Sequence, residues 1–275
     1  MTTAQNLKAT DYAPGDSERE LARLERQAIF FSGMTRDVLT RAGLTSGMRV
    51  LDLGCGVGDV SLVAADLVGP GGSVLGLDLS PAALEVAARR LAAAGHSQVA
   101  FRQGMIDAFD EFGDFDAIIG RFILVHLPDP AETLRHIVSK AKKGAAIAFC
   151  ELDLGMTATT RPSPLFDHSV QQIIEVFKRT GRQPEMGSEL FATFRAAGLD
   201  PALCAFQHVG SFEEDAGFDF LAESVRSMVP AIEKLGIATA AEVDIETLKD
   251  RLIAEAQGSD ACIFYPRFVG AWAQT

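Results

Sequence analysis

The chain has 275 residues, 48% of them hydrophobic and 23% charged, enough to bury a full core as one large domain or as a domain with insertions. A formal net charge of −12 and an isoelectric point near 4.9 repel polyanions, and no Lys/Arg stripe or aromatic-interleaved basic run offsets that locally, so nucleic acid is set aside as a partner. The N-terminal "MTTAQNLKATDYAPGDSERE" has no apolar core for a signal peptide, and no stretch nears the roughly 18 uninterrupted apolar residues that span a bilayer, so a cytoplasmic protein without membrane attachment is expected.

Residues 1 to about 16 are polar and turn-rich, whereas 17–43 carry helical periodicity through Leu21, Leu24, Ala28, Phe31, Val38 and Leu39. Next comes "VLDLGCGVGD", residues 50–59, with glycines at every second position, Gly54, Gly56 and Gly58. Met48, Val50, Leu51 and Leu53 before it predict a buried strand over 48–53, and "VSLVAADLV" after it predicts a helix over 59–68. A strand, a glycine turn and a helix put free backbone N–H groups and close-approach glycines at the carboxyl end of a strand, where open α/β sheets bind nucleotides.

Three cofactor classes compete for such a turn. A P-loop needs Gly-Lys-Ser/Thr at its end, but Asp59 and Val60 follow Gly58. A dinucleotide fingerprint places its third glycine three positions after the second, which is Asp59 here. Asp52 before the turn and Asp59 after it repel phosphate and attract a ligand carrying an ammonium or sulfonium. The second predicted strand, 73–78, ends in Asp78, and Ser80 and Pro81 follow as N-cap and first residue of a helix over 81–94. An acid there, 20 residues after Gly58, is placed to accept both ribose hydroxyls of an adenosine.

Further strands are predicted over 98–102, 115–120 and 145–151, with a helix over 130–142 opened by Asp129 as N-cap, Pro130 at its first position and Glu132 at its third. This alternation predicts a doubly wound parallel sheet. Together with "LDLGCGVGD", Asp78, "GMID" at 104–107 and "FDAIIGRFILVHLPDP" at 115–130, the chain resembles the class I, Rossmann-like, S-adenosylmethionine-dependent methyltransferases of the small-molecule type. The resemblance covers residues 46–155 well. It departs at Lys143-Gly144-Ala145, where relatives usually carry Pro-Gly-Gly, which alters a turn and leaves the site.

The resemblance implies a seven-stranded, mostly parallel sheet with an antiparallel last strand, and S-adenosylmethionine as cofactor. Its site is expected at Asp52, Gly54, Cys55, Gly56, Gly58, Asp78, Leu79, Met105, Ile106, Asp107 and Arg121, with Met105–Asp107 framing adenine. Arg121 pairs either with a cofactor or substrate carboxylate or, structurally, with Asp116, Glu151 or Asp153. Cys55, Cys150, Cys204 and Cys262 lack C-x-x-C spacing, so neither a metal site nor a disulfide framework is expected; Cys55 reads as a small space-filler of the glycine loop.

Beyond Asp153 helices are predicted over 165–180 and 188–197, then strands over 202–212 and 263–273 as antiparallel partners, with an acidic helical segment 213–260 between them. The expected organisation is an N-terminal helical cap (1–45), a cofactor-binding core (46–155), a helical insertion of the cap (156–186), a core helix and strand (187–212), a lid insertion (213–260) hinged at Gly210, Gly217 and Gly258, and a last core strand (261–275).

A sulfonium methyl is already activated, so its transfer needs alignment more than a catalytic group. Should the acceptor require a base, His126 is the candidate closest to the fourth-strand loop, with a structural or surface histidine as the competing reading. Glu151, His168 and Phe31 are the candidate substrate contacts, with Gln27, Thr35 and Arg36 able to fold over the methionine part of the cofactor. The expected activity is methylation of a small apolar or aromatic metabolite on oxygen, nitrogen or carbon. A protein methyltransferase and a non-catalytic cofactor-binding module are the alternatives, and a homodimer stays open.

Overall fold

A computed structural model describes residues 18–211 and 216–275, with side chains from Phe30 onward except that of Ala216. The elements in chain order are α1 (Glu18–Arg41), β1 (Arg49–Leu53), α2 (Asp59–Val68), β2 (Ser73–Asp78), α3 (Pro81–Ala93), β3 (Val99–Gln103), β4 (Ala117–Arg121), α4 (Pro130–Lys140), β5 (Ala146–Asp153), β6 (Ala158–Thr159), α5 (Pro164–Arg179), α6 (Met186–Ala196), β7 (Ala202–Phe206), β8 (Val209–Gly210), α7 (Ala216–Lys234), α8 (Ala240–Val243), α9 (Leu248–Ser259), β9 (Ile263–Phe264) and β10 (Arg267–Gln274). Short 3₁₀ turns cover Ile106–Ala108 and Leu124–His126.

A seven-stranded sheet runs in the order β3-β2-β1-β4-β5-β10-β7, with β1 to β5 parallel and the last strand antiparallel. The central strands are buried on both faces, as in a covered parallel sheet: Val50 to Leu53 and Ala117 to Gly120 are all buried, Asp52 being the one charged residue among them. On one face Val50, Val74, Ala117, Ile119, Ala146 and Ala148 pack against Leu39 of α1, Ala42 just after it, and Val60, Val63, Ala64 and Val68 of α2. Leu53 is in register with Leu77 on one side and Gly120 on the other, so the residues that follow, Gly54, Asp78 and Arg121, all leave the sheet at one edge.

The caps expected from sequence are present. The Ser80 hydroxyl accepts the Ala83 N–H at 3.2 Å ahead of Pro81, and the Asp129 carboxylate accepts the Glu132 N–H at 2.8 Å ahead of Pro130. Among the described residues no helix is long and apolar enough to cross a membrane.

Two compact units divide the chain: Met1–Glu151 with Leu190–Cys204 and Gly270–Thr275, and Leu152–Glu189 with Ala205–Val269. Within the second, α5, α7 and α9 pack together through buried Phe166, Ile173, Phe218, Val225, Ile232 and Leu252. The strands expected over 202–212 and 263–273 each break in two, and β8 and β9 join β6 in a separate antiparallel sheet. Pro266, which has no N–H to donate, separates β9 from β10, while the Gln207 amide donates to the Met156 and Tyr265 carbonyls and turns the chain out of β7.

The glycines expected as hinges have packing neighbours of their own. A Cβ on Gly217 overlaps the Tyr265 hydroxyl at 0.7 Å and one on Gly210 meets that ring at 3.0 Å, so both are small because Tyr265 packs on them. Gly258 lies inside α9.

Candidate active site

The three glycines behind β1 are there for two different reasons. All adopt the left-handed region, with φ +65, +52 and +85 at Gly54, Gly56 and Gly58, where an L side chain is strained. A Cβ on Gly54 meets Ile123 Cδ1 at 2.5 Å, and one on Gly58 meets Leu91, Ala87 and Phe101 at 3.0–3.4 Å. These two give way to the protein's own packing. A Cβ on Gly56 meets nothing within 4 Å. Its face is open.

The free backbone N–H groups expected in this turn are engaged inside the protein. Gly54 and Cys55 donate to the Leu77 carbonyl at 2.8 and 3.1 Å, Gly58 to the Cys55 carbonyl at 2.9 Å, and Gly56 to Asp78 Oδ2 at 2.8 Å. An anion therefore finds few donors here, as the flanking acids imply. Asp78 Oδ1 accepts the Ser80 N–H at 2.9 Å. Each Asp78 oxygen thus holds one backbone donor and keeps lone-pair capacity for another.

Asp52 is 1% exposed and accepts the Ser61 hydroxyl at 2.6 Å, while its Oδ1 has no protein partner. Burial pushes its carboxyl up to about 7, opposed by the Ser61 bond and by Arg121. This unpartnered buried acceptor, together with the open Gly56 held by Asp78, fits a ligand that brings donors and positive charge. Cys55 is buried, with its thiol pushed up by burial and its sulfur packed toward Gly76, which accords with a space-filler. Leu79 and Met105 are 55% and 56% exposed, unusual for large apolar side chains. They flank the turn at Ile106–Ala108, on which Asp107 is exposed.

Arg121 is buried and its structural partner is Asp59, at 3.5 Å, correcting the expectation of Asp116, Glu151 or Asp153. Asp116 is taken by the Arg49 N–H and by Lys142. Asp59 also binds Arg90 at 2.7 Å, so one carboxylate ties the start of α2 to α3 and to the end of β4. Arg121 donates to Thr35 Oγ1 at 3.0 Å, and its guanidinium lies 5.9 Å from the Phe31 ring and 5.3 Å from the Phe122 ring. Thr35 in turn donates to the Phe31 carbonyl, Arg36 pairs with Asp66, and the side chain of Gln27 lies outside the described residues.

Both acids at the end of β5 are enclosed and engaged. Glu151 Oε1 accepts the Leu124 N–H at 2.7 Å, and Asp153 accepts the Ser188 hydroxyl near the start of α6. Burial raises Glu151 to about 8, with the Leu124, Val125 and Ile123 N–H groups opposing the shift. For Glu151 this is a loop cap and not an open substrate acceptor: its buried carboxyl is engaged by the N–H groups of that turn, whereas Asp52 keeps an oxygen without a protein partner. Phe31, also 1% exposed, packs edge-on against Phe122 with ring centroids 5.1 Å apart, so it backs the site from inside the protein. His126 is half-buried on the 3₁₀ turn after β4, and His168 is exposed on α5 with its ring nitrogen 3.1 Å from the Gln172 amide.

Ser61 and Ile123 escaped the sequence reading, and Thr35 was expected over the methionine part of the cofactor whereas its hydroxyl accepts from Arg121. Ser61 had a signal, a small hydroxyl two residues past Asp59 on the helix that follows the turn. Ile123 had none, since its partner Gly54 lies far back along the chain, and the Thr35 partner, Arg121, lies 86 positions away.

A family model described as a methyltransferase domain matches residues 44–188, more than half of the chain. The demethylmenaquinone methyltransferase of Lactococcus lactis is 34% identical over 114 residues, covering 41% of this chain and 45% of that protein. The ubiquinone biosynthesis O-methyltransferase of Bordetella bronchiseptica is 30% identical over 172 residues, covering 58% and 65%. The matches thus span less than two thirds of these relatives' length. A solved putative methyltransferase from Bacillus halodurans shares the fold, with TM-score 0.57 at 18% identity over 87% of this chain and 97% of that one. The acid-flanked glycine turn falls within the matched 44–188, and the chain belongs to the methyltransferase-domain family.

Proposed function

We propose that the protein binds S-adenosylmethionine at the carboxyl ends of β1, β2 and β4 and transfers its methyl group to a small apolar or aromatic metabolite. One observation carries the reading: the open left-handed Gly56, with no room needed for the protein's own atoms, its N–H held by the Asp78 carboxylate on a turn where the Gly54, Cys55 and Gly58 N–H groups are also engaged internally. Asp78 receives the ribose hydroxyls, exposed Leu79 and Met105 take the adenine faces with Ile106, and Asp107 takes the adenine amino group.

When bound, the sulfonium supplies an activated methyl that moves by in-line displacement. The chain's own task is then to align the two reactants and exclude water, and His126 at the end of the post-β4 turn is the candidate to accept a proton from the acceptor. Two relatives named for menaquinone and ubiquinone methylation support an acceptor with an oxygenated ring.

Calorimetry with S-adenosylhomocysteine tests the cofactor, with NAD as the control that is expected not to bind. Transfer of labelled methyl to a panel of phenols and quinols, set against amines and thiols, tests the acceptor; ring hydroxyls are expected to turn over fastest. A folded protein with no affinity for S-adenosylhomocysteine overturns the proposal.

A further inference from the structure

Among the described non-glycine residues, positive φ occurs at Phe122 (+58), Asp244 (+46) and Asp260 (+51). The two aspartates end α8 and α9, where a short polar side chain tolerates that conformation. Phe122 has no such excuse. It is a bulky residue directly behind β4, and a strained backbone persists only where its surroundings over-determine it.

The surroundings can be named. The Phe122 N–H donates to the Cys150 carbonyl at 2.9 Å, its ring packs on Phe31, and the next three N–H groups face one buried carboxyl, that of Glu151, with Leu124 bonded at 2.7 Å. Between these anchors the Ile123 side chain occupies the space that a Cβ on Gly54 or Gly120 takes up, at 2.5 and 2.8 Å. A residue of the post-β4 turn therefore bears directly on the first glycine of the loop behind β1.

We infer that Glu151 is a positioning residue: its carboxyl holds the Ile123, Leu124 and Val125 N–H groups of the Phe122–His126 turn so that Ile123 bears on Gly54 and keeps the glycine loop in the shape that receives the adenosyl ligand. The inference rests on the cofactor reading above and adds to it how the loop is held. Glu151 touches neither reactant. It acts through the turn, and the same turn carries His126, so one buried carboxyl sets the neighbourhood of both cofactor and candidate base.

The test compares Glu151→Ala and Glu151→Gln in the full chain, by amide hydrogen exchange without ligand and by calorimetry with S-adenosylhomocysteine. In Glu151→Ala the Ile123, Leu124 and Val125 amides are expected to exchange at least about ten-fold faster while Leu51 and Ile118, central in β1 and β4, keep wild-type rates; affinity falls about ten-fold. Glu151→Gln retains a carbonyl for the Leu124 N–H and is expected to bring both quantities back to within about three-fold of wild type, a rescue that burial volume alone does not give the alanine. Unchanged exchange at residues 123–125 in the alanine variant, or fast exchange there with unchanged affinity, overturns the inference. Should Glu151→Ala not fold, Ile123→Ala cuts the same link: several-fold weaker affinity with Leu124 still protected supports the inference, and wild-type affinity overturns it. A wild type that binds no S-adenosylhomocysteine refutes the cofactor reading instead, and the exchange arm then decides by itself whether Glu151 holds the turn.

Discussion

Two turns leave the same edge of the sheet from adjacent strands, one after β1 at Gly54–Gly58 and one after β4 at Phe122–His126. Both run through the left-handed region. The first reaches it with glycines, at φ +65, +52 and +85, which adopt it at no steric cost. The second reaches it with a phenylalanine at φ +58, held there by a carboxyl that binds Leu124 from 27 positions away and by a ring from α1. Composition shapes one turn, tertiary restraint the other. The two meet where Ile123 lies on Gly54, so the restrained turn also constrains the permissive one.

The largest effect expected from breaking this pair is at Gly56. Gly56→Val strains a residue at φ +52 and fills the open face, with no clash against the protein itself. Affinity for S-adenosylhomocysteine is expected to fall by about a hundred-fold or more while the circular dichroism of the fold is kept. Undiminished binding by a folded variant removes Gly56 from the cofactor site.

A middle-sized effect is expected from the buried acids behind the two turns. Burial raises Glu151 from 4.5 to about 8 and Asp52 from 3.8 to about 7, so in the folded state both stay protonated to higher pH than in the unfolded chain. Stability from these groups is full below their unfolded values and is lost as pH rises through about 7 for Asp52 and about 8 for Glu151. Glu151→Gln cannot ionise. Its stability relative to wild type is therefore expected to rise by on the order of a few kcal/mol between pH 5 and pH 8, read from urea unfolding at several pH values. A difference that stays flat with pH shows that Glu151 ionises freely.

The smallest effect tests the contact between the turns. Gly54→Ala adds a methyl that meets Ile123 Cδ1 at 2.5 Å, and a loss of about 1–3 kcal/mol is expected. Combined with Ile123→Ala, the two shortest contacts disappear while the one with the residue 123 Cβ at 3.1 Å and the strain at φ +65 remain, giving a coupling of about 1 kcal/mol in a double-mutant cycle. Additive losses mean that the two turns are independent.

The difference between the turns also explains what could be read in advance. Gly54, Gly56 and Gly58 announced their backbone by residue type, and Asp52, Asp78 and Ser80 their places by position after an apolar run. The boundaries of β2 and α2 followed from the same local signals and agree with the structure to the residue. Arg121 was picked out, but its partner was sought among nearby acids and lies at Asp59 on another element. Glu151 was noticed as an acid ending a strand, yet its role as anchor of a turn depends on β4 and β5 lying side by side. In the second unit, Pro266 was visible in the sequence, but the small sheet it makes possible needs β6, more than a hundred residues earlier, to arrive beside β9.

Sequence alone thus determined what local chemistry determines: strands from buried apolar runs, helices from periodicity and caps, and a cation-favouring, glycine-lined turn from residue types within ten positions. Only the tertiary structure decided how the three glycines divide between packing and open space, because the atoms that meet Gly54 and Gly58 come from Ile123, Leu91, Ala87 and Phe101. It likewise decided that Glu151 faces inward to a turn, since whether a carboxyl meets a ligand or a backbone N–H depends on which strand is its neighbour, and strand order is set by burial of the whole sheet and not by any one segment of it.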